Sequence, residues 1–211
     1  MKKVFIIVIV GLLALGCETE YYKLSVFVDG NGTYKIEPEK NEYEDGETVT
    51  ISAFPDSGWK FRRWDGNTQS TKTNPLKLVM DGKKEITTVF GIPIEPNLTG
   101  TWEAEQYLIT FNINQQDEFE QDLNGSMELI DIYVGKLDYS VQGINDSPFV
   151  QMTCKRSGYY DIRYTGNIVD ENYIEGYFTQ AGERDNCNLI RTTVAPLTKE
   201  RIAFIPTKIK K

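Results

Sequence analysis

Apolar residues recur with a period of two through almost the whole chain. Leu24, Val26 and Val28 alternate with polar neighbours, as do Tyr34 and Ile36; Val49, Ile51 and Ala53; Leu76, Leu78 and Met80; and Ile86, Thr88 and Phe90. That spacing places alternate side chains on one face of an extended strand. The runs are punctuated by Asp29-Gly30-Asn31-Gly32, Asp45-Gly46, Pro55-Asp56-Ser57-Gly58 and Asp81-Gly82. These residues tolerate positive φ or start turns, so the chain can reverse there. From Leu98 onward the same pattern predicts strands over 101–105, 108–114, 126–132, 136–142, 150–155, 160–169, 173–179 and 189–195, with a last piece over 201–205 that pairs with the first of them or its neighbours. No stretch holds a helical period, so the fold class is mainly β.

Composition narrows the chemistry. The chain has 211 residues, no histidine, and a net charge of −8. Without histidine the usual general base, the Ser-His-Asp and Cys-His nucleophile systems and most catalytic zinc sites are unavailable. Asp161, Asp170, Glu171, Glu175, Glu183 and Asp185 crowd the last third and offer the one remaining route, a carboxylate pair for glycoside hydrolysis. Nothing in their spacing places two of them on one face of a cleft, and solvated loop charge is the simpler account. We expect no enzyme, no cofactor and no metal. An acidic surface repels phosphates, so nucleic acid is not an expected partner.

The middle of the first third carries a specific resemblance. Glu42-Tyr43-Glu44-Asp45-Gly46-Glu47-Thr48-Val49-Thr50-Ile51 is followed by Ala53-Phe54-Pro55-Asp56-Ser57-Gly58-Trp59-Lys60-Phe61, then Trp64-Asp65-Gly66, Asn74-Pro75-Leu76, Met80-Asp81-Gly82 and Thr88-Val89-Phe90. In this order they resemble the internalin B-type repeat of the Listeria–Bacteroides group of bacterial surface proteins, present here as a single copy over 23–91. The resemblance implies a small β-grasp-like fold and a role in surface attachment or spacing, with no catalytic residues. Trp59, Phe61 and Trp64 suit the core of so small a domain, each able to bury roughly 150–250 Å². The alternative is that Trp59 and Trp64 form an exposed aromatic platform that stacks on a glycan.

Residues 92–97, with Pro93 and Pro96, read as a short, stiff linker with a preferred extension. The following strands, in sequence order with short polar connections, describe an antiparallel up-and-down β-barrel over 98–206, since closure removes the exposed edges. The opening Gly100-Thr101-Trp102 resembles the Gly-x-Trp start of lipocalins and related small barrels. That likeness implies a tryptophan plugging one end with a late-strand arginine packed over it, here Arg191. A barrel this small either fills with its own side chains or keeps a pocket for a lipid or small hydrophobe. Phe111, Ile113, Met127, Leu129, Tyr139, Val141, Met152, Ile162, Tyr164, Ile174, Tyr177 and Ile190 are the interior candidates. Cys154 and Cys187 form an even pair that closes a disulfide in an oxidising compartment or stays as two buried thiols. Residues 207–211 read as a frayed tail.

The amino terminus supplies an address. Lys2 and Lys3 precede an apolar run from Val4 to Leu15 that is short for a membrane span, and Leu13-Ala14-Leu15-Gly16-Cys17 follows. This resembles the signal peptide and lipobox of a bacterial lipoprotein. It implies removal of 1–16, lipid (palmitate-type acyl chains) on Cys17, and a short tether over 17–22. The remaining residues hold 21 Lys and Arg against 31 Asp and Glu. The reading as a whole is a cell-envelope lipoprotein, held at the outer membrane through Cys17, whose repeat spaces the barrel from the membrane. Its function is either non-catalytic binding of an unidentified protein, glycan or envelope component, or carriage of a small hydrophobe in the barrel.

Overall fold

The computed structural model of the chain describes residues 19–192 and 201–209. Every regular element among them is a strand. The chain divides between Gly91 and Ile92 into two compact units.

The first unit contains β1 (Tyr21–Tyr22), β2 (Leu24–Asp29), β3 (Gly32–Glu37), β4 (Tyr43–Glu44), β5 (Thr48–Pro55), β6 (Lys60–Gly66), β7 (Leu76–Val79) and β8 (Lys84–Gly91). They form two three-stranded sheets, β2-β8-β6 and β3-β5-β7, and a short β1–β4 ladder. The first long strand, β2, runs parallel to the last, β8. The expected grasp-like arrangement therefore takes the form of two facing sheets. The turn at Asp29–Gly32 does not make the hairpin that its composition suggests: β2 pairs only with β8 and β3 only with β5, so the turn carries the chain from one sheet to the other. Between the sheets Val49, Ile51 and Ala53 of β5, Leu76 and Leu78 of β7, Trp64 of β6, and Ile86 and Phe90 of β8 form the core.

Two local devices make this packing work. β6 carries a bulge between Phe61 and Arg63. A bulge inserts one extra residue and shifts the alternation, which lets Phe61 and Trp64, three apart, both face the core. Beyond β6, the Asn74 side chain accepts from the Ala53 N–H and donates to the Ala53 carbonyl, both at 2.9 Å. It thereby continues the β5–β7 ladder to a position two residues before the start of β7.

The second unit contains β9 (Gly100–Ala104), β10 (Ile109–Asn114), β11 (Asp122–Asp131), β12 (Gly135–Asp146), β13 (Phe149–Lys155), β14 (Ile162–Asp170), β15 (Tyr173–Gln180), β16 (Glu183–Asn186) and β17 (Leu189–Arg191). Antiparallel pairing runs β9-β10-β11-β12-β13-β14-β15 in sequence order, and β17 joins β15 back to β9. This is a closed eight-stranded barrel, with β16 attached to β15 alone on its free side.

Phe111, Ile113, Met127, Leu129, Tyr139, Val141, Met152, Ile162, Tyr164 and Ile174 are buried inside, as their spacing predicts. Tyr177 and Ile190 are not inside. Ile174 and Tyr177 are three apart, so strict alternation cannot put both on one face. The buried residues are Phe178 and Leu189 instead. The rings of Phe111, Tyr164 and Phe178 lie 5.3–6.1 Å apart by centroid and fill the middle of the barrel.

One barrel end is sealed. Leu98 and Trp102 are buried there, and the Trp102 indole N–H donates to the Leu98 carbonyl at 2.9 Å. Arg191 sits with its guanidinium 4.6 Å from the Trp102 ring centre and donates to the Asn97 carbonyl. This is the contact that Gly100-Thr101-Trp102 led us to expect. The buried Gln115 and Asn145 side chains complete the seal: Asn145 donates to the Pro96 carbonyl and to Gln115 Oε1, which also accepts from the Leu98 N–H.

Candidate functional site

The opposite end of the barrel is built differently. The β11–β12 connection is a tight tip in which Asp131 Oδ1 accepts from the N–H groups of Tyr133 (2.7 Å) and Val134 (3.0 Å). Gly135, at φ 79°, closes the turn. The side chain that builds the tip is buried, but those it presents are apolar and exposed: Ile132 at 61%, Tyr133 at 78% and Val134 at 49%. Three consecutive exposed apolar residues on a rigid turn differ from the scattered single ones of an ordinary surface.

Beside the tip the carboxy-terminal segment 201–209 crosses the mouth. The Leu108 carbonyl accepts from the Ile130 N–H and the Leu108 N–H donates to the Ile202 carbonyl, which joins the base of the tip to the start of this strap. Arg201 pairs with Glu103 on β9 at 2.9 Å. The buried Gln180 side chain holds the far side: it donates to the Tyr160 carbonyl and accepts from the Thr207 N–H. The Ile209 N–H donates to the Gly158 carbonyl. Residues 207–209 are thus bonded to the barrel, not frayed. Phe204, in the middle of the strap, is 8% exposed and packs against Tyr107 at 5.5 Å and Phe178 at 5.8 Å. Ile202 and Ile205 of the strap are also exposed, at the same end of the barrel as the tip.

Between the strap and β16 lies a pocket of about 310 Å³, lined by Tyr107, Phe178, Gln180, Glu183, Asp185 and the strap. Sequence reading missed β16 because all four of its residues are polar and exposed. The expected pairing of 201–205 with the first barrel strand or its neighbours appears as a single bridge between Ile202 and Tyr107, just past β9, whereas the place of Phe204 in the barrel core was not foreseen.

The other residues singled out from the sequence fall as follows. Trp64 is fully buried and its indole N–H donates to the Thr73 carbonyl at 3.2 Å, so it cannot serve a glycan platform. Trp59 is half-buried and packs on the same core. Cys154 and Cys187 are two free, buried thiols, which overturns the disulfide. Cys154 lies on β13, while the Cys187 N–H is bonded to Gly176 of β15. Strands are roughly 4.8 Å apart, so the two lie far beyond the roughly 7 Å Cα separation that a bridge tolerates. Burial pushes both thiols above their usual pKa, with Asp161 adding to the effect at Cys154 and Glu105 at Cys187. Thiols raised in this way are poor nucleophiles. Asp161, Asp170, Glu171, Glu175, Glu183 and Asp185 are all exposed. Cys17 and residues 1–16, read from the sequence as a signal peptide, lie outside the described residues.

Residues 22–92 match the family model of the divergent InlB B-repeat domain. That match spans the whole two-sheet unit from β2 to β8, and it agrees with the repeat resemblance read from Glu42 to Phe90. The repeat's recurring features are its structural joints. Trp64 is the centre of the core, and Gly66 lies so close to β8 that a Cβ there would sit 2.2 Å from the Glu85 carbonyl oxygen. No curated protein and no solved structure was found to match the chain.

Proposed function

We propose that the chain is a non-catalytic, lipid-anchored binding protein of the bacterial cell envelope, with Cys17 as the acylated residue and the strapped end of the barrel as its contact surface. The repeat domain is a kind of module consistent with such a surface role. The observation that carries the reading is the apolar rim of Ile132, Tyr133, Val134, Ile202 and Ile205 around one end of a barrel whose interior is occupied by its own side chains. A filled barrel leaves the outer surface for recognition, and an aromatic at the centre of an exposed apolar patch is the usual anchor of a protein contact. The partner is a protein or envelope component that meets this rim.

Two measurements test it. Fatty-acid labelling and membrane fractionation of the wild type and Cys17→Ser address the anchor: the wild type should carry label and sediment with membranes, and the variant should do neither. Photo-crosslinking in whole cells from a benzoyl-phenylalanine at position 133, with position 167 on the barrel wall as control, addresses the contact surface. A discrete adduct from 133 alone is the expected result; equal adducts from both positions, or none, would sink the rim as the contact surface.

Carriage of a small hydrophobe is the second reading, and the mouth pocket is what favours it. Native mass spectrometry of gently purified protein distinguishes the two: a retained apolar mass points to a carrier, a clean apo mass to the binding module.

A further inference from the structure

β16 turns an unusual face toward the mouth. In the β15–β16 register Phe178 stands opposite Asp185 and Gln180 opposite Glu183. Directly opposed residues share a face of the sheet. Phe178 and Gln180 are buried and point into the barrel, so Glu183 and Asp185 are on the interior side too. They stay exposed because β16 has no partner beyond β15. Two carboxylates therefore look inward over a pocket whose floor and far wall are Phe178, Phe204 and Tyr107. Among the described residues neither carboxylate has a hydrogen-bond or ion-pair partner. The intervening Arg184 points to the other side, 3.5 Å from the Tyr177 ring centre.

This arrangement concentrates negative potential. The two carboxylates add full charge beside the aromatic floor, and the chain as a whole is at −8. The Tyr107 phenol registers it: burial and, next, the Asp185 charge raise its pKa. Among the described residues that line the pocket none is basic. A cation would.

An apolar aromatic floor suits a large, weakly hydrated cation, whereas compact metal ions demand more oxygen ligands than two. A volume of about 310 Å³ holds a small organic ion. We propose that the mouth pocket formed by Tyr107, Phe178, Phe204, Glu183 and Asp185 binds a small organic cation of the alkylammonium class, with the carboxylates setting the charge and the rings supplying the apolar contact. The proposal does not depend on the anchor or on the rim contact.

The test uses the full chain and three probes: choline, butylamine and 3,3-dimethylbutan-1-ol, the uncharged isostere of choline. Each is titrated by calorimetry, with the ring-proton shifts of Phe178 and Phe204 followed by NMR. Choline should bind at least about tenfold more tightly than the isostere, with butylamine between them, and the shifts should concentrate on the two rings. Asp185→Asn and Glu183→Gln remove exposed charges from a polar strand, so both variants should fold. Each should weaken choline about fivefold while leaving the isostere unchanged. The proposal fails if choline does not bind, if the isostere binds as well as choline, if neither variant alters choline affinity, or if the perturbed resonances lie away from the pocket.

Discussion

Gly66 and Asp65 show how much of the repeat domain rests on single residues. Gly66 adopts φ 105°, a region that costs an L-residue energy, and its α-carbon faces the Glu85 carbonyl. Gly66→Ala combines strain with a backbone clash, and we expect a loss of about 2 kcal/mol or more from the repeat domain, read by urea unfolding of its tryptophan signal. Asp65 sits between Trp64 and Gly66. It accepts hydrogen bonds from Arg63 Nε (2.9 and 2.8 Å) and from the Ser70 hydroxyl (3.1 Å). The Arg63 bond, the largest effect, holds its carboxyl below the ordinary range; burial opposes it, and the Ser70 bond adds a smaller push downward. A depressed carboxylate adds stability that is fully present above its unfolded pKa of about 3.9 and is lost as pH falls through the lower folded value. Asp65→Asn should therefore destabilise at pH 7 by about 0.5–1 kcal/mol, allowing for a side chain that is one-third exposed. The difference from wild type should shrink as denaturation is repeated from pH 4 downward; a constant difference down to pH 2 would contradict this account. The Trp-x-Gly step was legible in the sequence, whereas the Arg63 and Ser70 partners were not, because they depend on the bulge and the turn after β6.

At the scale of elements the strap is the informative case. Residues 201–209 have little periodicity, yet they carry one buried aromatic ring and bonds to two barrel connections and to Gln180 at the end of β15. Phe204→Ala should cost roughly 3 kcal/mol of barrel stability, since a buried phenylalanine leaves a cavity when truncated. Gln180→Ala removes two hydrogen bonds at one edge of the strap, and we expect about 1–2 kcal/mol. Urea titrations of both variants, with limited proteolysis at the carboxy terminus, separate the effects: Gln180→Ala should raise cleavage after Lys208 more than it lowers the unfolding midpoint. β15 and β16 show what alternation could not supply. The phase of β15 was ambiguous between Ile174 and Tyr177, and Gly176 between them gave no sign. The structure resolves it because the Tyr164 ring packs so close to Gly176 that a Cβ there would lie 2.4 Å from the Tyr164 hydroxyl.

For the molecule as a whole, charge and burial set the limits. A chain at −8 with no histidine should show no retention on heparin or DNA columns at 0.15 M salt, because the electrostatic term that drives such binding is repulsive here. Salt-sensitive retention would mean that a local basic surface outweighs the net charge. The two buried cysteines give a second whole-molecule readout. Cys154 and Cys187 should stay unreactive to a thiol reagent in the folded protein and react stoichiometrically in denaturant, since burial both shields them and raises their pKa.

Period-two alternation and turn residues were enough to determine a mainly β chain and a meander long enough to close, the prolines of 92–97 marked its division near residue 91, and the order of motifs from Glu42 to Phe90 carried the likeness to the repeat. Each of these is carried by residues close together in the chain. Tertiary structure decided the pairings that join distant segments. β2 runs beside β8 instead of β3, β17 closes on β9, Phe204 enters a core built by other strands, and Cys154 stays away from Cys187. Such contacts depend on which apolar faces meet once the chain is compact, and neighbouring residues carry no record of that choice. The inward turn of Glu183 and Asp185 is of the same kind: their register against Phe178 and Gln180 gives two unremarkable polar residues a face over an aromatic pocket.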